Sequence, residues 1–281
     1  MAPVTPFPAA GARAVDTYRI GGHQVGYELL STLKQASSST GIDFAYLVAQ
    51  AGQESGFRSN AQASTSSARG LFQFIESTWL EMVRDHGRKY GLAAEAQQIG
   101  TGSDGRPRVD DAATRRAILS LRDDPRIASA MAAEYARGNR ETLSRELGTT
   151  PGHTDLYLGH FLGAAGASRF LAAMKDNPAQ SAAAILPEAA AANRNVFYTA
   201  SGEPRSVGEI HAMFGRKLEA NAAGLDDLQP IAPAPARGSA VARHLAEQSR
   251  VIDHAVKMMA YEALRDTMLR SSRLRNDDEQ G

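Results

Sequence analysis

The chain contains no cysteine. Disulfides, thiolate metal sites and cysteine nucleophiles are therefore excluded, although the absence fits any compartment. Charge of one sign is missing too: 31 Lys plus Arg balance 31 Asp plus Glu. A neutral chain offers no electrostatic argument for nucleic acid or an anionic membrane, both of which normally need a basic face. Aromatic residues make up only 6%, which also speaks against a base-stacking surface. Apolar runs such as Phe44 to Ala49 are far too short to span a bilayer. Met1 to Val15 lacks the basic and apolar regions of a signal peptide, so the sequence leaves the export route open. What remains is ordinary for a globular protein with a sizeable core: 43% hydrophobic and 22% charged residues over 281 positions.

Along the chain, residues 1–22 are rich in Pro, Gly and Ala and read as an irregular arm. Helical periodicity begins near Val25 and runs to the serines at 37–39. A second helix opens after Gly41, with Asp43 as its N-cap and Phe44, Leu47, Val48 and Ala51 along one apolar face. Small polar residues from 55 to 69 form a loop, and a helix from about Ser77 to Tyr90 follows. From Asp110 to Lys175 the spacing predicts helix almost throughout, with breaks near Asp123-Asp124-Pro125, Gly138-Asn139 and Thr149 to Gly152. A further helix is expected from Ser206 to Ala220.

The expected domain, residues 23–228, is mainly α. Residues 229–238 read as a Pro/Ala linker, and 239–281 as an amphipathic helix with a polar tail, striped by Val241, Leu245, Ile252, Val256 and Met259. That stripe needs cover, either from the domain itself or from a partner such as a flagellar or secretion machine.

Several motifs fail their context. Gly100-Thr101-Gly102-Ser103-Asp104-Gly105 spells the dinucleotide fingerprint. No strand precedes it and Arg106-Pro107 follows where a helix should open, so it reads as a turn. The seven His residues show no His-Glu-x-x-His pairing, so no metal site and no cofactor are expected. There is no nucleophile elbow and no phosphate-binding loop.

Glu54 stands out. It lies three residues after Ala51 and seven after Leu47, on the apolar face at the end of its helix. Desolvation penalises the ionised form of a carboxyl in such a setting, which suits a general acid; lysozyme's acid carboxyl, the standard illustration, is tuned this way. A buried structural Glu, or one turned outward to water, fits the periodicity equally well.

The surrounding residues add more. Glu54-Ser55-Gly56-Phe57, a small-residue loop, Gly70-Leu71-Phe72-Gln73-Phe74-Ile75 and Ser77-Thr78-Trp79 follow in order within about 25 residues. This combination resembles the lytic transglycosylases of the bacterial soluble (SLT), goose-lysozyme-like family, over roughly Ile42 to Phe170. The family's third motif, Ala-Tyr-Asn-Ala-Gly, falls at Tyr157 to Gly166. There the spacing and glycines agree, but Phe161 stands for the Tyr and Leu162 for the Asn. His160, or Tyr157 one turn earlier, is the polar substitute.

The resemblance implies a lysozyme-like fold and peptidoglycan glycan strands as substrate, met in the periplasm or cell envelope. It implies that Glu54 protonates the glycosidic oxygen between N-acetylmuramic acid and N-acetylglucosamine. As carboxylate it then takes the C6 hydroxyl proton, closing a 1,6-anhydro ring. Ser55, Gln73 and Gly70 would contact the sugar, and Phe72 would wall the groove. Tyr157, His160 and Phe161 complete the candidate set. Ser55 also reads as a simple cap, and Phe57, Phe74 and Trp79 as core.

Ordinary glycosidases need a second carboxylate. The candidates, Glu76, Asp85, Asp104 and Asp110, carry no motif. Their lack of one favours intramolecular attack over hydrolysis. Two alternatives stay open: a hydrolytic muramidase on the same fold, and a wall-binding or assembly protein without turnover.

Overall fold

The computed structural model describes residues 17–64, 66–225 and 230–231. Strands β1 (Thr17–Ile20) and β2 (His23–Gly26) precede helices α1 (Tyr27–Thr40) and α2 (Phe44–Ser55). After a long loop come α3 (Glu76–His86), a 3-10 turn at Gly87–Tyr90 and α4 (Ala93–Gln97). A small hairpin follows, of β3 (Gly100–Thr101) and β4 (Pro107–Arg108), then α5 (Ala112–Ser120), α6 (Pro125–Leu147) and α7 (His153–Asp176). Three short helices, α8 (Ala182–Ile185), α9 (Pro187–Ala192) and α10 (Arg194–Phe197), lead to α11 (Val207–Ala222) and strand β5 (Pro230–Ile231). The fold is mainly α, as the sequence implied. Among the described residues no helix is long and apolar enough to cross a membrane.

Two compact units are present. The described part of the smaller comprises residues 17–19, 24–27 and 230–231. Its strand order is β2-β1-β5, with Thr17 facing Ile231 and Tyr18 facing Pro230 in antiparallel register. The end of the expected irregular arm is therefore a strand, and helix begins at Tyr27 rather than Val25. Pro230 and Ile231, read as linker, are likewise a strand. The expected C-terminal helix at 239–281 lies outside the described residues.

The larger unit, residues 20–23 and 28–225, holds the helical core. At its centre, α2 starts as the sequence indicates: Asp43 accepts a hydrogen bond from Tyr46 N at 3.1 Å. It is enclosed far beyond one face. Tyr46, Leu47, Val48, Ala49, Gln50 and Ala51 are all buried, because α11 packs along α2, α7 packs on α11, and α6 packs on both α7 and α2. A helix covered on all sides is a core helix.

Helix α6 runs unbroken through Gly138 and Asn139, so the break expected there does not occur. Asn139 is buried against Gly159 of α7, and that packing outweighs weak local helix propensity. Within the segment assigned to α7, Gly163 takes φ 71° and ψ 162° and kinks the chain. This backbone region is open essentially to glycine alone. Of the failed fingerprint, read as a turn over 100–105, Gly100-Thr101 is strand β3 and residues 102–105 form the turn of the β3–β4 hairpin, closed by Gly102 N to Arg106 O at 2.8 Å.

Candidate active site

Glu54 occupies the last turn of α2, its side chain 16% exposed. Past it, Gly56 and Phe57 both take positive φ, 59° and 63°, and the chain leaves the helix sharply. A positive φ at a bulky residue such as Phe is costly and needs support. Phe57 has it: the ring is buried and meets His23 edge-on at 5.6 Å.

Helix α7 brings two polar groups to Glu54. Tyr157 donates its hydroxyl to Glu54 Oε1 at 2.8 Å, and His160 Nε2 lies 3.5 Å from the same oxygen. Burial, followed by the charge of Glu54, drives the Tyr157 phenol far above its usual pKa, so it remains a donor. The Tyr46 phenol, one face of α2 away, is driven up for the same two reasons in the same order. Glu54 Oε2 has no hydrogen-bond partner among the described residues. Outward from Tyr157 runs a row of rings: Phe214 of α11 at 5.0 Å, then half-buried Phe161 at 5.2 Å from Phe214.

The loop 57–75 forms the other flank. Gln73 has φ 48°, and its amide donates to Ala61 O at 3.1 Å and Gly70 O at 2.9 Å. Arg122, from the turn between α5 and α6, clamps the loop. It is buried and donates from Nη1 to Ser67 O at 2.7 Å and Phe74 O at 3.0 Å. Arg69 pairs beside it with Asp123 at 2.6 Å.

Several candidate residues stand elsewhere than the sequence suggested. Phe72, expected as a groove wall, is fully buried. Ser55 is buried and spends its hydroxyl on Ala51 O at 3.1 Å, an ordinary helix back-bond. Gly70 faces protein: a Cβ there would lie 2.1 Å from Arg122 O. The Gln73 carboxamide nitrogen is committed to the loop, which leaves its oxygen as the polar atom it can offer. Phe57, Phe74 and Trp79 are core, with Trp79 Nε1 donating to Ile118 O at 2.8 Å.

None of the candidate second carboxylates meets Glu54. Glu76 pairs with Arg115, Asp85 with Arg84, Asp104 with Arg106 and Asp110 with Arg108. A cleft of about 580 Å³ between α3 and the β3–β4 hairpin is lined by Arg106, Arg108 and Arg115 with Glu76 and Asp104, and does not include Glu54, Tyr157 or His160. No group of three or more His, Asp or Glu among the described residues is arranged to hold a metal.

Residues 31–97 match the family model of the transglycosylase SLT domain. The matched stretch runs from α1 to α4 and includes Glu54, Gly70 and Gln73. The stretch that carries Glu54 is thus similar to an SLT transglycosylase domain. SLT domains act on peptidoglycan in the cell envelope. Tyr157 and His160 lie beyond the matched stretch, so their place beside Glu54 follows from the tertiary structure alone.

Two features around the site carried no readable signal. Arg122 reads as one more charge in a helix break, because its acceptors lie about 50 residues away in sequence. Phe214 sits on the apolar stripe of α11, where only its ring contacts set it apart.

Proposed function

We propose that the chain is a peptidoglycan lytic transglycosylase with Glu54 as its single acid/base. One observation carries this reading. Glu54 has Oε1 held by the Tyr157 hydroxyl, while Oε2 has no hydrogen-bond partner among the described residues and each candidate second carboxylate pairs with an arginine. A lone carboxyl of this kind protonates the glycosidic oxygen between N-acetylmuramic acid and N-acetylglucosamine as the C1–O bond breaks. The resulting carboxylate takes the C6 hydroxyl proton of the same muramoyl unit while that oxygen bonds to C1. The ring closes as a 1,6-anhydro sugar and Glu54 recovers its proton. Activating water from the opposite face would ask for a second carboxylate roughly 6.5–9.5 Å from the first, and every candidate is paired elsewhere.

Phe161, half-buried at the end of the ring row, supplies an apolar surface for the sugar in place of the family's tyrosine. The Gln73 side-chain oxygen is the group available to a sugar N–H or hydroxyl. Partners beyond the glycan strand, including an envelope machine, remain a separate proposal on which this site has no bearing.

Mass spectrometry of unreduced products from purified sacculi tests the reading. Muropeptides one water lighter than the reducing sugars are expected. Reducing ends alone would place the chain with the hydrolytic muramidases. Intact sacculi would leave a binding protein.

A further inference from the structure

Among the described residues His160 makes no hydrogen bond, which is unusual for a ring this enclosed. Its side chain is 17% exposed. Tyr135 of α6 meets it edge-on at 6.1 Å and 80°, and Tyr157 lies beside it at 5.9 Å. Nδ1 is buried and has no hydrogen-bond partner among the described residues. Nε2 points at Glu54 Oε1, 3.5 Å away.

These contacts fix the tautomer. A proton on Nδ1 would strand a buried N–H without an acceptor, the rarer and harsher kind of orphan. It would also set the Nε2 lone pair against a carboxylate oxygen. The neutral ring therefore carries its proton on Nε2, facing Glu54. Among the described residues no lysine or arginine pairs with Glu54, so His160 is the one basic side chain there. The titratable groups facing the ring are Glu54 from α2, Tyr135 from α6 and Tyr157 from its own helix.

Resting on the reading of Glu54 as acid/base, we infer that His160 is a positioning residue that closes on Glu54 when the carboxyl ionises. At 3.5 Å the contact is long for a hydrogen bond. Catalytic hydrogen bonds often tighten only when substrate is bound. As the glycosidic oxygen takes its proton, Oε1 gains charge, and the Nε2–H joins the Tyr157 hydroxyl in holding it. Oε2 then accepts the C6 hydroxyl proton, and His160 keeps its own throughout. The two polar groups lost from the family's third motif at Phe161 and Leu162 are thus matched in number by Tyr157, one turn before Phe161, and His160, immediately before it.

Kinetics on purified sacculi for wild type, His160→Gln, His160→Leu and Glu54→Gln test this role. Gln keeps an N–H donor towards Glu54 and Leu does not. His160→Gln should stay within about tenfold of wild-type kcat and hold KM. His160→Leu should hold KM and lose about ten- to hundredfold in kcat, the scale of one hydrogen bond to a charged group. Circular dichroism and thermal midpoints check folding, and if Leu does not fold His160→Met takes its place. Equal kcat in the Gln and the apolar variant, with Glu54→Gln inactive, overturns the role of His160 and spares that of Glu54. Full activity in Glu54→Gln overturns the acid/base reading, and the inference falls with it.

Discussion

The two oxygens of Glu54 have different surroundings. Oε1 accepts from Tyr157, and Oε2, without a hydrogen-bond partner among the described residues, is the oxygen the proposed reaction uses. Replacing Glu54 by Gln changes little volume and removes the transferable proton. Sacculus clearing should fall about 10²–10⁴-fold with the thermal midpoint unchanged, as expected for the loss of a general acid–base group. Retention of a tenth of the activity would show that another group is the acid. Tyr157→Phe removes only the donor to Oε1, so kcat should drop about ten- to hundredfold, the scale of one charge-assisted hydrogen bond. An unchanged kcat would restrict the hydroxyl to a structural part. Glu54 was legible in the sequence because its motif is local. Tyr157 was named only as an alternative, since the family pattern puts its tyrosine at 161. Residues 157 and 161 are one helical turn apart and share a face, so a donor moved by one turn reaches the same carboxyl and escapes a motif.

At the scale of elements, the loop 57–75 depends on a close backbone approach at Gly70. Its φ is 84°, and a Cβ would meet the Arg122 carbonyl at 2.1 Å. Gly70→Ala should lose about 2–5 kcal/mol in urea denaturation, combining overpacking with a left-handed backbone. Gly148 makes the control: its φ is 71° with nothing within 4 Å, and Ala there should cost only about 1–2 kcal/mol. Equal losses would show that the approach to Arg122 is not what matters. The start of α7 is pH-sensitive. Burial raises the Asp155 carboxyl, but hydrogen bonds from His211 at 2.9 Å and Gly152 N at 2.9 Å outweigh it and leave the pKa below its usual value. Asp43 behaves likewise, with His153 as its partner. A depressed carboxyl contributes stability above its unfolded pKa of about 3.9, and loses it as pH falls through the lower folded value. Stability should therefore decline below about pH 4, and Asp155→Asn should flatten the decline. An identical slope in the variant would assign the acid sensitivity to other groups.

On the scale of the molecule, every candidate site residue falls between Glu54 and Phe214, inside the larger unit. Removing residues 239–281 should therefore leave the rate of sacculus cleavage within about twofold of wild type, because no site residue is lost and changes away from such features are usually small. A tenfold loss would give those residues a part in catalysis. The small sheet warns against cutting earlier, since Pro230 and Ile231 pair with Tyr18 and Thr17.

The sequence by itself determined the helical class, the Asp43 cap, the turn at 102–105 and the motif around Glu54. Each is written in neighbours a few residues apart, through periodicity, side-chain capping or a missing flanking strand. Tertiary structure decided the rest. Only packing shows that Phe72 and Ser55 are buried, that α6 runs through Gly138, and that Arg122 clamps a loop about 50 residues away. It alone sets Tyr157 and His160 on one oxygen of Glu54. The contacts that determine these positions join residues 50 to 100 apart, and a chain records such contacts only as two ordinary side chains on two amphipathic helices. Which oxygen stays free follows from how α2 and α7 meet.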